Sequence, residues 1–179
     1  MDIHEISRTI MWPNRLIFGQ GAVREIGPEA ARLSAGPVLV VTDRGVADAG
    51  LLGPVERALR EAGLQRETFD GCEPNLTDDG VEDLAGRIRA GGFGAIVGLG
   101  GGSPVDAAKA ATVICAHGGS IRDYDIADGG DERIGDRLIP VLALPTTAGT
   151  GTEVSEAAVV TNTRARPSYM TCPPEAGAV

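Results

Sequence analysis

Ala95-Ile96-Val97-Gly98-Leu99-Gly100-Gly101-Gly102-Ser103-Pro104-Val105-Asp106-Ala107-Ala108-Lys109 is the stretch on which the fold turns. Its first five residues read as a buried strand and Gly100 to Ser103 as a turn. Pro104 to Ala116 reads as a helix, with Ser103 at the N-cap and Pro104 at the first helical position. Gly118-Gly119 ends that helix. A strand that passes through glycines straight into a helix belongs to a parallel sheet covered by helices.

Working outward, the same alternation continues. Val38 to Thr42 is a β-branched run behind Gly36-Pro37 and predicts a buried strand, followed by a turn at Asp43-Arg44-Gly45. Leu51 to Ala62 has apolar residues at helical spacing and stops at Gly63. Gln65 to Phe69 is a weaker strand. Thr77 offers an N-cap with acids behind it, and Val81, Leu84, Ala85 and Ile88 form one apolar stripe. Leu138 to Leu144 is a further strand, leading into a second glycine turn, Pro145 to Thr152, and Glu156 to Thr161 is another strand candidate. The expected architecture is α/β: a Rossmann-like, mostly parallel sheet flanked by helices, a single domain over residues 1–162. The remainder, 163–179, has no period of either kind, is interrupted by prolines, and is expected to be irregular or ordered only by a partner chain. Ligands of such sheets bind at the carboxyl ends of the strands, and both glycine turns fall there.

Composition narrows the function classes. The chain has 179 residues, 42% of them hydrophobic, and a net charge of −9. It can bury a core, and its acidity argues against a general nucleic-acid binder. No apolar run is long enough to span a membrane, and no secretory signal is read at the N-terminus. Three scattered cysteines, Cys72, Cys115 and Cys172, without a C-x-x-C pair, point to free thiols in a reducing cytoplasm. Neither His4 nor His117 has a partner at metal-ligand spacing, so no metal ligand is assigned. The only lysine is Lys109.

The chemistry-bearing residues cluster at the two turns. Gly100, Gly101, Gly102 and Ser103 would let backbone amides at a helix N-terminus approach a diphosphate. Asp106 and Lys109 lie three apart on that helix, where the lysine could assist an anion and the aspartate accept from a hydroxyl. The same residues also make sense as a plain glycine turn with an internal Asp–Lys pair. Asp43, at the end of a strand, could accept two hydrogen bonds from a ribose diol and repel an added 2′-phosphate, or be an ordinary turn aspartate. Thr146, Thr147, Thr150 and Thr152 could bond phosphate, ribose or an amide, or cap their own backbone. Neither the G-x-G-x-x-G fingerprint nor a P-loop is present. Nor is there a G-x-S-x-G elbow or an H-E-x-x-H motif, and no catalytic residue is nominated.

At these positions the sequence resembles the iron-containing (group III) alcohol dehydrogenase family. The resemblance is carried by Phe18-Gly19-Gln20-Gly21-Ala22, Val41-Thr42-Asp43 and Glu73-Pro74-Asn75. It is carried most strongly by Gly98 to Lys109 and Leu144 to Ser155, and it runs from about Arg15 to Asn162. It implies an N-terminal α/β domain that holds NAD, less readily NADP. Gly100, Gly101, Gly102 and Ser103 would cradle the pyrophosphate, with Asp106 near the nicotinamide and Asp43 on the adenosine ribose. Thr146, Thr147, Thr150 and Val154 would line the cleft beside Asn75. It further implies a small alcohol, aldehyde or ketone substrate, and a homodimer formed through Ile10 to Phe18. The family's lysine-bearing turn and following strand are missing after Asn162, and no family metal ligand is matched. The resemblance thus implies a truncated member without the helical metal-binding domain. Dehydrogenase activity and non-catalytic NAD binding both stay open.

Overall fold

The computed structural model describes residues 8–11, 15–164 and 167–171. Strands β1 (Arg8–Met11) and β2 (Arg15–Phe18) form an antiparallel hairpin. A 3₁₀ turn leads into α1 (Ile26–Leu33), followed by β3 (Val38–Val41), α2 (Arg44–Asp48), α3 (Leu52–Glu61) and β4 (Arg66–Phe69). Then come α4 (Asp78–Gly91), β5 (Ala95–Gly100), α5 (Gly102–His117), short 3₁₀ turns, and β6 (Val141–Pro145). The last described elements are β7 (Ala157–Thr161) and β8 (Pro167–Thr171).

The main sheet is parallel throughout, in the order β4-β3-β5-β6. Its strands are apolar on both faces, as a doubly covered parallel sheet requires. Leu39, Val41, Ile96 and Val141 pack with α4 and α5 on one face. Val38, Val40, Val97 and Leu142 pack with α1 and α3 on the other. This alternation is the period-2 geometry of a strand. The α/β expectation therefore holds, with each anticipated strand found within a few residues.

Helix α5 is the center of the molecule. Every residue from Pro104 to Ile114 is buried, including Asp106, Lys109 and Thr112. It packs against β5 through Gly98, where a Cβ would stand 2.8 Å from the Cα of Val105. The helix begins earlier than its sequence suggests. Gly101 is the N-cap, in extended backbone, and Ser103 lies inside the first turn. The shift is permitted because Pro104 still falls among the first-turn positions, whose N–H groups have no partner within the helix.

Two other expectations are corrected. Arg44 onward is a short helix rather than a simple turn, because Asp43 caps it: Val46 N–H donates to its Oδ1 at 2.9 Å. The stretch 163–179 is not irregular over Pro167–Thr171, which pairs antiparallel with β7 from Ala157↔Thr171 to Thr161↔Pro167. Pro167 is tolerated because it opens a strand in a two-stranded hairpin. The rest of the tail after Thr171, with Cys172, lies outside the described residues, as does His4.

Candidate functional site

The parallel register of β5 and β6 pairs Gly100 with Pro145, so the two strands end at the same height. Each then runs into its own glycine-containing loop, and the Thr146 N–H donates to the Gly100 carbonyl at 2.7 Å to start them side by side. Between the Gly101–Ser103 turn and the loop after β6 lies a cleft of 290 Å³. Gly102, Ser103, Asp106, Thr150 and Thr152 line it, and Asn75 stands at its rim. Asn75 holds a left-handed backbone (φ 60°), a conformation asparagine tolerates.

The glycines face the opposite loop closely. A Cβ on Gly101 would stand 3.6 Å from Thr147 Oγ1, and one on Gly102 would stand 3.8 Å from the Thr150 methyl. Gly100 has φ 154°, and a Cβ there would meet the Pro104 ring at 2.6 Å and Asp43 Oδ2 at 3.3 Å. Asp43 thus joins both readings. One oxygen caps α2 and the other is turned toward the glycine turn. No side chain caps α5. The helix N-terminus thus presents peptide N–H groups and the positive end of its dipole to the cleft. Among the described lining residues none is cationic.

Asp106 and Lys109 sit deeper, 6% and 4% exposed. Thr152 Oγ1 donates to Asp106 Oδ1 at 2.5 Å, and Val159 N–H donates to Asp106 Oδ2 at 3.0 Å. The Lys109 ammonium donates to the carbonyls of Thr152 (2.5 Å), Ser155 (2.9 Å) and Ala157 (3.1 Å), and lies 3.7 Å from Asp106 Oδ1. The internal Asp–Lys pair that the sequence offered as the alternative is therefore present, and the same ammonium also donates to the loop's backbone. Val154 is 42% exposed on the turn closed by its own N–H to Gly151 and, like Asp43, Gly100, Gly101 and Thr147, is not among the residues that line this cleft. Thr146 lines a separate apolar cavity of 520 Å³ beside β2 and β6.

Sequence reasoning missed how much Thr152 does. It was one threonine among four, yet it alone is buried and bonded to Asp106. Ser155, Val159 and Thr161 also line the cleft and carried no signal, because only the return of β7 onto α5 brings them there.

Cys72, behind Asp43, is held protonated. Burial, and then the negative charge of Asp43, push its thiol up to about 12. At pH 8 its alkylation should run roughly 1,000-fold slower than that of an unhindered thiol, since only the thiolate reacts. Mass-spectrometric timing of iodoacetamide adducts checks this; a Cys72 adduct at the rate of a free thiol contradicts it. Among the described residues, no group of three or more His, Cys, Asp or Glu side chains is placed to hold a metal ion. No helix of the described residues is long and apolar enough to cross a membrane.

Known proteins resemble this chain in sequence and in fold. The family described as iron-containing alcohol dehydrogenase matches residues 13–175. The choline dehydrogenase of Bacillus subtilis (strain 168) is 39% identical over 150 residues, which are 84% of this chain and 37% of that protein. The NAD-dependent methanol dehydrogenase of Bacillus methanolicus is 36% identical over 150 residues, 84% of this chain and 38% of that protein. The crystal structure of sulfoacetaldehyde reductase from Bifidobacterium kashiwanohense in complex with NAD+ superimposes with a TM-score of 0.81 at 30% identity, over 95% of this chain and 45% of that one. The chain spans less than half the length of each of these relatives.

Proposed function

We propose that this chain, which belongs to the iron-containing alcohol dehydrogenase family, holds NAD in the cleft between the Gly101–Ser103 turn and the Thr146–Ser155 loop, for hydride transfer between the nicotinamide and a small alcohol, aldehyde or ketone. One observation carries the reading. The N-terminus of α5, with no side chain capping it, opens through Gly102 and Ser103 onto the cleft, where a Cβ on Gly102 would approach the Thr150 methyl at 3.8 Å. Peptide N–H groups at such a terminus are fixed, pre-oriented donors for a diphosphate. The NAD named for the methanol dehydrogenase and the NAD+ complex of the reductase support the choice of dinucleotide.

NAD supplies the hydride acceptor and NADH the hydride donor. This chain's own part is binding and orientation. Gly102 and Ser103 offer their amides to the pyrophosphate, while Thr147 and Thr150 close the other side. Asp43 Oδ2 accepts from the adenosine ribose and disfavors a 2′-phosphate, so NAD is preferred to NADP. Asp106, already accepting from Thr152 and Val159, forms a fixed polar floor. We place the chain in the cytoplasm, as a homodimer contacting through its N-terminal hairpin, where Phe18 is 68% exposed.

Among the described residues no group of three or more His, Cys, Asp or Glu side chains is placed to hold a metal ion, and this favors a second reading, in which these residues bind NAD without turning substrate over. The experiment that separates the two is an NADH titration beside single-turnover NADH absorbance with small aldehydes and ketones. The protein is metal-stripped first, then assayed with and without added Fe²⁺ or Zn²⁺. Binding with oxidation makes the chain an enzyme, and binding alone makes it a cofactor module. In either case Asp43→Ala should weaken NADH about tenfold and narrow its preference over NADPH. Unchanged preference removes Asp43 from the site.

A further inference from the structure

The chain's only lysine is buried against the loop that forms one wall of the cleft, and the glycine turn forming the other wall begins the helix that carries it. Seven residues separate Gly102 from Lys109, two turns of α5. Across those two turns, Lys109 grips three successive points of the opposite wall, the carbonyls of Thr152, Ser155 and Ala157. Asp106, between them on the same helix, holds the Thr152 hydroxyl and the Val159 N–H. Five groups of the 152–159 segment are thus bound by two side chains one turn apart.

Among the described residues, this segment joins the sheet's core only through Ala158 and Val160 and pairs with none of its four strands. β7 is not part of the four-stranded sheet; it rests on α5 and pairs with β8. Among the described residues, its polar links to the rest of the fold beyond the β8 ladder are the Asp106–Lys109 grip and the parallel bridge of Thr161 to Thr77, with the Thr161 N–H donating to the Leu76 carbonyl at 2.8 Å. An ammonium donating to three carbonyls in a buried site is directional and strongly held. Thr150, which faces Gly102, is two residues from the first of them.

We propose that Lys109 is the positioning residue of the cleft: by gathering the carbonyls of Thr152, Ser155 and Ala157 it sets the Thr150 wall against the glycine turn, so that closure over a dinucleotide and burial of this ammonium are one event. The inference rests on the reading that NAD binds here. It differs from a ligand role, because Lys109 acts through the loop and not on the phosphate. Exposing the ammonium requires the 152–157 loop to lift away. A ligand that bridges the two walls opposes that lifting, even though it does not touch the lysine.

A single lysine makes the test direct. The whole chain is acylated with an amine-reactive ester, and the Lys109 peptide is followed by mass spectrometry, with the N-terminal amine as internal standard. Saturating NADH should slow Lys109 acylation at least tenfold, and adenosine, which carries no phosphate to span the walls, should leave it within twofold. A purely structural lysine would show the same rate with and without NADH, and that result overturns the inference. Thr152→Val, which removes one hydroxyl and leaves the lysine's carbonyl contacts, should raise the NADH dissociation constant several-fold and weaken the protection in parallel. Lys109→Met should raise it at least tenfold; a folded Lys109→Met protein that binds NADH as the parent does also overturns it. If the unmodified chain fails to bind NADH, the reading beneath falls and the inference with it, an outcome visible in the titration before any acylation is done.

Discussion

Gly101→Val should abolish measurable NADH binding, with a loss of at least about 100-fold, while the protein unfolds at nearly the parent's urea midpoint. The two halves of this result have separate causes. Gly101 has an ordinary backbone conformation, and its Cβ would meet nothing closer than Thr147 Oγ1 at 3.6 Å. The fold accepts the side chain, which would stand at the N-cap of α5 between the helix's free amides and Thr147. A branched residue there displaces the diphosphate from the α5 amides, and about 2.7 kcal/mol corresponds to 100-fold. Gly98→Val, three residues upstream, should do the reverse. Its Cβ would press into the backbone of Val105, which has no rotamer to yield. A cost of about 3 kcal/mol in stability follows from forcing helix and strand apart. Fluorescence titration and urea unfolding of the two variants side by side decide the matter. A Gly101→Val protein that binds NADH normally removes the cleft from consideration.

The second large effect lies away from the cleft. Asp78, 1% exposed, caps the junction of three segments: Arg122 donates to its Oδ2 at 2.6 Å and Thr163 N–H at 3.1 Å, and Asp79 N–H donates to its Oδ1 at 3.0 Å. Burial alone would push its carboxyl up. The hydrogen bonds from Arg122, Thr163 and Asp79 outweigh it and hold the group below the usual carboxylate range. Asp78→Ala should therefore cost about 1.5 kcal/mol at pH 7, since Arg122 and the Thr163 and Asp79 N–H groups lose a shared buried acceptor while remaining within reach of water. The sign of the pH dependence follows. A depressed folded value contributes stability that is present above the unfolded value, near 4, and lost as pH falls through the folded value. The gap between parent and variant in urea unfolding should stay constant from pH 7 to about 5 and close below pH 4. A gap that widens in acid contradicts the assignment.

These sites differ in how openly the sequence declares them. The strands Val38–Val41 and Ala95–Gly100 were legible because a strand covered on both faces must be apolar at every position, which leaves a run that helices rarely match at that length. Gly100 to Ser103 was legible because glycine clusters mark backbone that side chains would obstruct. The start of α5 was misplaced by two residues, since Ser-Pro is a strong helix-entry signal and Gly101 a weaker cap that the packing of β5 against α5 nevertheless selects. Lys109 was legible only in part: its pairing with Asp106 was one of two readings and is present at 3.7 Å, but its grip on the loop was not foreseen. Its spacing from Asp106 is equally suited to an ion pair and to an anion site. The groups that settle its role, the carbonyls of Thr152, Ser155 and Ala157, are peptide atoms that no side-chain identity announces. The β7–β8 hairpin was hidden for a similar reason. Pro167 argues against strand structure, and only pairing with Ala157–Thr161 outweighs it.

A cleft lined by peptide dipoles, hydroxyls and the Asp106 carboxylate, in a protein of net charge −9, has a kinetic consequence. Its attraction for a diphosphate is short in range, while the repulsion from the surrounding acidic surface is long in range. An approaching dinucleotide is therefore slowed by the field of the whole molecule and captured only on arrival. Added salt screens the first effect far more than the second. The association rate for NADH should rise with ionic strength while the dissociation rate scarcely changes, opposite to the behavior of an arginine-steered phosphate site. In stopped-flow binding, an association rate that falls with salt would place an unrecognized cation at the mouth of the cleft.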